Sequence, residues 1–197
     1  MAECVRRRAA FIDRDGVINE ERHYVHRVED FVLLPATLAG MLRLQQAGYL
    51  LIVVTNQAGI GHGLYTAAQF NALTEHMLRL TGAAGVHVVA VYHCPHHPQA
   101  AVDRYRMVCE CRKPGPGMLL AAARDFDLDL SQSVMVGDKR SDIEAGRAAG
   151  VGRCVLVASG HAVTDADRRA ADVCASDLGM AATAVLENDV AGGYFSA

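Results

Sequence analysis

The sequence predicts an α/β fold: an open parallel sheet with helices on both faces. Short apolar, β-branched runs alternate with stretches of helical periodicity along most of the chain, the order that builds parallel sheets through crossover helices. The run Leu50-Leu51-Ile52-Val53-Val54-Thr55 is apolar without alternation, as a strand covered on both faces requires. Asp13, Thr55 and Asp138 each stand at the end of such a run. In open parallel sheets ligands bind outside the carboxyl ends of the strands, so chemistry is expected there.

The elements follow in order. Ala9–Asp13 reads as the first strand. Ala36–Gly48 is helical, with Leu38, Met41, Leu42 and Leu44 at helical spacing and Gly48 as the stop. Leu50–Thr55 is the second strand, and Thr66 caps a helix running to Leu80. Val86–Tyr92 is the third strand and Gly115–Phe126 the third helix. Ser133–Gly137 is the fourth strand, Ser141–Ala149 the next helix and Arg153–Ala158 the fifth strand. The alanine-rich tail from Asp165 ends in one helix near Leu178–Leu186.

With 197 residues, no Pro/Ser-rich linker and 51% hydrophobic residues, the chain is expected to form one compact domain with a sizeable core. A net charge of −3 gives no electrostatic footprint for nucleic acid. No stretch reaches the roughly 18 apolar residues of a membrane span, and Met1–Arg8 is basic without the apolar core of a signal peptide. A cytoplasmic, monomeric protein with no nucleic-acid or membrane partner is expected. The six cysteines then point to metal rather than disulfides.

Phe11-Ile12-Asp13-Arg14-Asp15-Gly16-Val17 sets two carboxylates at a strand exit, where Gly16 permits a sharp turn. One can act as a nucleophile and the other as a general acid/base, although alone the pair also fits a plain polar turn. Thr55-Asn56-Gln57 offers a hydroxyl and backbone amides to a phosphoryl oxygen. Lys113, in Arg112-Lys113-Pro114, offers a fixed cation. Asp138, with Asp142 four residues on, can complete a Mg²⁺ site with Asp13, because Mg²⁺ takes few carboxylates plus phosphate oxygens and water. Asp138 also fits a helix N-cap.

Cys94-Pro95-His96-His97-Pro98 followed by Cys109-Glu110-Cys111 matches a closed structural Zn²⁺ site of the Cys₃His type, with Cys94, His96, Cys109 and Cys111 as ligands. His93 and His97 flank it as weaker candidates. Cys154 sits in a strand and reads as core.

Asp13-x-Asp15, Thr55, Lys113 and Gly137-Asp138, in that order, resemble the four motifs of the haloacid dehalogenase superfamily of phosphatases. The resemblance spans most of residues 9–142. It implies a Rossmann-like fold and a phosphoaspartyl mechanism. Asp13 would attack phosphorus, and Asp15 would protonate the leaving oxygen and then activate water. Thr55 and Lys113 would hold the transferring group. Asp13, the Asp15 backbone carbonyl and Asp138 would hold Mg²⁺. The short interval between Asp13 and Thr55 leaves no room for a cap domain, so loops would shape specificity: His23–His26, Gly59–Leu64 and the zinc loop. Among capless branches with such a loop, those acting on heptose bisphosphates and on histidinol phosphate, the chain looks more like the first. A sugar bisphosphate is therefore the expected substrate, with Glu21, Arg22, His23, Tyr24, Asn56, Gln57, Arg112 and Lys139 as its binding residues. Arg112 suits a second phosphate through a bidentate contact, though it also fits a brace for a neighbouring carboxylate. A zinc-stabilised binding module would not need both Asp13 and Asp15, and a phosphomutase would need a cap that excludes water.

Overall fold

The computed structural model describes residues 7–192. Six parallel strands form one sheet: β1 (Arg8–Ile12), β2 (Tyr49–Asn56), β3 (Val88–Cys94), β4 (Val134–Gly137), β5 (Arg153–Val157) and β6 (Val173–Ala175), in the spatial order β3-β2-β1-β4-β5-β6. The helices are α1 (Thr37–Gln46), α2 (Ala58–Gly61), α3 (Ala67–Ala83), α4 (Gly117–Phe126), α5 (Arg140–Ala149), α6 (Asp165–Ala170) and α7 (Leu178–Gly192).

The apolar runs supply both faces of the sheet. Successive strand side chains point to opposite faces, so each strand feeds two cores. Ala10, Ile12, Leu51, Val53, Val134, Val136, Val155 and Val157 pack with Met41 and Leu44 of α1, Leu73 and Met77 of α3, and Ala181 and Val185 of α7. Ala9, Phe11, Ile52, Val54, Met135, Cys154 and Leu156 pack with Met118, Leu119 and Ala122 of α4 and Ile143 and Ala145 of α5. Each large side chain so buried contributes roughly 1.5–3 kcal/mol. Register is firmly specified, because a one-residue slip would exchange the two cores.

Boundaries moved where local chemistry outweighed periodicity. The Thr66 cap is present, its hydroxyl accepting from the Gln69 amide and Gln69 reciprocating. The third strand starts at Val88 and runs on to Cys94, because Asn56 pairs with Cys94. It therefore delivers the chain into the cysteine loop. Helix α4 begins at Gly117 rather than Gly115, since the 115–117 turn folds against the Glu110 carbonyl, with Gly117 N donating to it at 2.8 Å. The edge strand β6 and the short helix α6 have too few residues for a period to show.

Candidate active site

The strand order reverses at β1, with β2 on one side and β4 on the other. Such a reversal opens a crevice at the carboxyl ends of the central strands. Here a cleft of about 510 Å³ lies over those ends. It is lined by Asp13, Asp15, Glu21, His23, Tyr24, Thr55, Asn56, Gln57, Arg112, Lys113 and Lys139, and also by Asp142 and His161.

Lys113 sits at its centre. Its Nζ lies 2.9 Å from Asp13 Oδ1 and 2.6 Å from Asp142 Oδ1, and donates to the Val54 carbonyl at 2.7 Å. All three side chains are buried. Burial alone would favour the neutral amine, but Asp13 and Asp142 more than offset this and raise the Lys113 pKa. Asp13 moves too. Burial pushes its carboxyl up to about 7, against the pull of Lys113 and with the help of Asp142 and Asp138. Asp13, Asp138 and Asp142 place carboxylate oxygens within 4.8 Å of one another. Asp138 Oδ2 meets His161 Nδ1 at 2.5 Å, while Asp138 Oδ1 is buried without a hydrogen bond. Gly16, at φ +86°, passes so close that a Cβ there would fall 2.2 Å from Asp138 Oδ2.

Asp15 is fixed from three directions. Arg14 donates to it from Nε and Nη2, Nη2 lying 2.9 Å from Oδ2; Asn19 Nδ2 donates at 3.0 Å and Gln57 Nε2 at 3.0 Å. Arg14 is fully buried, with its guanidinium over the Phe70 ring and a further bond to the Val25 carbonyl.

Cys94, His96, Cys109 and Cys111 converge, as a closed tetrahedral site requires. Cys111 Sγ lies 3.1 Å from Cys94 Sγ and 3.2 Å from Cys109 Sγ, and His96 Nδ1 is 3.3 Å from Cys111 Sγ. The thiols are free of disulfides. His93 packs on Phe70 and His97 on His62, so neither faces the cluster. The loop carries Arg112 and Lys113 straight into the cleft. Asn56 grips that point from both sides: its Nδ2 donates to the Lys113 carbonyl and its Oδ1 accepts from the Lys113 amide, each at 3.0 Å.

Of the residues expected to bind substrate, Glu21, His23, Tyr24, Arg112 and Lys139 present side chains to the cleft, Lys139 paired with Glu21 at 3.2 Å. His23 and Tyr24 both hold positive φ, 54° and 61°, a strain of the kind that collects at ligand sites. Arg112 donates to the His96 carbonyl rather than bracing a carboxylate. Arg22 is not brought in; it is exposed and pairs with Glu20. Asn56 and Gln57 line the wall with amides already engaged by protein groups. The position of Asp142 gave a hint of its place in the cluster, whereas nothing in the local pattern marks His161 or Tyr65.

Known proteins of similar sequence and structure establish the family of this chain. Over 164 residues the chain is 46% identical to D-glycero-beta-D-manno-heptose-1,7-bisphosphate 7-phosphatase of Salmonella typhi, covering 83% of this chain and 87% of that one. The chain belongs to the heptose-1,7-bisphosphate 7-phosphatase family of the haloacid dehalogenase superfamily. Members of this heptose phosphatase family differ in the anomer they are named for. The D-glycero-alpha-D-manno-heptose-1,7-bisphosphate 7-phosphatase of Photorhabdus laumondii is 42% identical over 158 residues, covering 80% of this chain and 86% of that one. A HAD-hydrolase-like family model matches residues 110–188, which hold Lys113, Asp138 and Asp142. In structure, the D,D-heptose 1,7-bisphosphate phosphatase of B. bronchiseptica, complexed with magnesium and phosphate, superposes with a TM-score of 0.79 at 32% identity, covering 92% of this chain and 99% of that one.

Proposed function

We propose that this chain removes the C7 phosphate from D-glycero-D-manno-heptose 1,7-bisphosphate through a phosphoaspartyl intermediate. The observation that carries the mechanism is Lys113 Nζ set between Asp13 and Asp142, with Asp15 clamped three residues beyond the end of β1. The names of the relatives carry the substrate. An Asp13 oxygen attacks phosphorus while Asp15 gives its proton to the departing C7 oxygen. Asp15 then takes a proton from water, whose oxygen attacks the same phosphorus, releasing phosphate and restoring the Asp13 carboxylate. Thr55 and Lys113 hold the phosphoryl oxygens.

The donor set fits Mg²⁺. Three carboxylates converge, and the buried Asp138 Oδ1 lacks a partner, a hard oxygen environment suited to that ion. Asp13, the Asp15 carbonyl and Asp138 would hold it. When bound, it supplies the positive charge that lets a carboxylate approach a phosphate dianion. Zn²⁺ fits the Cys94, His96, Cys109 and Cys111 cluster, where it would pin the backbone that aims Arg112 and Lys113. The setting we infer for this activity is nucleotide-activated heptose synthesis for the lipopolysaccharide core, in the bacterial cytoplasm, with the chain acting as a monomer.

The substrate reading is tested by kcat/KM on both anomers of heptose 1,7-bisphosphate, on fructose 1,6-bisphosphate and on histidinol phosphate. A heptose bisphosphate should lead; a clear preference for histidinol phosphate would sink the reading. Arg112→Ala should lower kcat/KM about 10–100-fold on the bisphosphate and little on heptose 7-phosphate, since it removes a charge-assisted contact of roughly 1.5–3 kcal/mol remote from the reacting phosphorus. Equal losses would make Arg112 a general structural residue.

Zinc has its own test. The purified protein should hold one tightly bound zinc per chain that dialysis against Mg²⁺ does not displace. Cys109→Ala should lose it, melt at lower temperature and lose activity with it, because metal binding and local folding are coupled. A zinc-free protein of full stability, prepared without chelator, would refute this.

A further inference from the structure

We propose that Tyr65 is a positioning residue which, through Gln57, holds the acid/base Asp15 in register with Thr55; this rests on Asp15 acting as the general acid. Gln57 and Tyr65 are both almost completely buried. Gln57 Nε2 donates to Asp15 Oδ2 at 3.0 Å and to Thr55 Oγ1 at 2.9 Å. Its Oε1 accepts from the Tyr65 hydroxyl at 2.5 Å and from Arg14 at 3.4 Å. One amide thus joins the group that protonates the leaving oxygen to the group that holds the phosphoryl oxygens.

The amide has only one workable orientation. A guanidinium donates and cannot accept, so Oε1 must face Arg14, and Nε2 then faces Asp15. Oε1 then faces two donors. Burial raises the Tyr65 pKa, against the pull of Arg14, so its hydroxyl stays protonated and remains a donor. The short bond from Tyr65 is the main restraint on that end, because the Arg14 contact is long. The backbone is fixed as well, Gln57 N donating to the Cys94 carbonyl at 2.7 Å.

Tyr65 is itself placed tightly. Its ring lies so close to Gly59 that a Cβ there would fall 2.1 Å from it. The ring also stacks on His26, with ring centroids 5.0 Å apart and planes 4° from parallel. His26 belongs to the segment carrying His23 and Tyr24, and its Nδ1 meets the Tyr24 carbonyl at 2.7 Å. The contacts therefore run from the substrate-facing loop, through Tyr65 and Gln57, to Asp15.

The test uses leaving groups. A sugar alkoxide needs a proton to depart; 4-nitrophenolate does not. kcat/KM reports the steps up to that departure. It is measured for wild type, Tyr65→Phe, Gln57→Met and Asp15→Asn on heptose 1,7-bisphosphate and on 4-nitrophenyl phosphate, with Tm recorded for each. Tyr65→Phe removes a single hydroxyl, and Gln57→Met keeps the side-chain length should either variant fold poorly. Both should lose about 10–100-fold on the sugar ester, part of the ~10²–10⁴ that a positioned acid contributes. The loss on the aryl ester should be at least about five-fold smaller, as for Asp15→Asn. Equal losses on the two esters, or no loss, would overturn the proposal. If Asp15→Asn shows the selective loss and Tyr65→Phe does not, the positioning role alone falls. If Asp15→Asn shows none, the general-acid reading falls and this proposal with it.

Discussion

Asp13→Asn is expected to fold, to keep its cysteine cluster, and to lose turnover by on the order of 10⁴-fold or more, since it removes the nucleophile itself. The same substitution should relieve the fold. Burial raises the Asp13 carboxyl from an ordinary 3.8 to about 7. In metal-free protein the native state therefore keeps a proton between about pH 4 and 7 that the unfolded chain has released. Stability from this group is fully present below pH 3.8 and is lost as pH rises towards 7, at up to about 1.4 kcal/mol per pH unit. Asparagine abolishes that slope and leaves the one from Asp138, whose carboxyl burial also raises. Denaturant melts in chelator at pH 5 and pH 7.5 measure it directly. The wild type should weaken over this interval and Asp13→Asn should weaken less. Identical slopes would show that Asp13 is ionised throughout, and retained turnover would end the nucleophile assignment.

Lys113→Ala is expected to damage both stability and chemistry. Lys113 is the cation between two buried carboxylates, Asp13 at 2.9 Å and Asp142 at 2.6 Å. Deleting one partner of a buried charge cluster leaves the others uncompensated, at about 3–5 kcal/mol. Turnover should fall on every phosphate ester alike, because the lysine acts on the transferred group and not on the remainder of the substrate. Removing one of the stranded charges separates the two effects. In metal-free protein, Lys113→Ala/Asp142→Asn should recover a measurable part of the lost stability and none of the lost activity. A double variant as unstable as the single one would mean that Lys113 stabilises by packing its stem rather than by charge.

The legible parts of the chain were those in which one residue type answers to one local demand. Unbroken apolar runs gave the five longer strands, because burial on both sheet faces leaves no room for polar alternation. The Cys-x-His and Cys-x-Cys spacings gave a cluster that the structure brings together at 3.1–3.6 Å. Illegible parts depend on the far side of the fold. His161 reaches Asp138 because β5 lies beside β4. Whether Gln57 faces substrate or Asp15 depends on Tyr65, eight positions along and on the other side of a short helix. Arg14 looks like a surface residue in sequence, yet it is fully buried under Phe70 and around Asp15.

The placing of β1 at the centre of the sheet also bears on when the molecule becomes competent. Ile12 pairs with Val53 on one side and with Val136 on the other. The first partner is synthesised early, whereas the second emerges only after the cysteine loop and α4. Closing the longer loop costs more chain entropy and is slow. A nascent chain can therefore assemble β1, β2 and β3 and still lack Asp138 and Asp142. Until β4 docks, Lys113 faces only one of its two carboxylates and the crevice has only one wall. Phosphate cleavage should accordingly appear in a single late step, with no partly active precursor on the way.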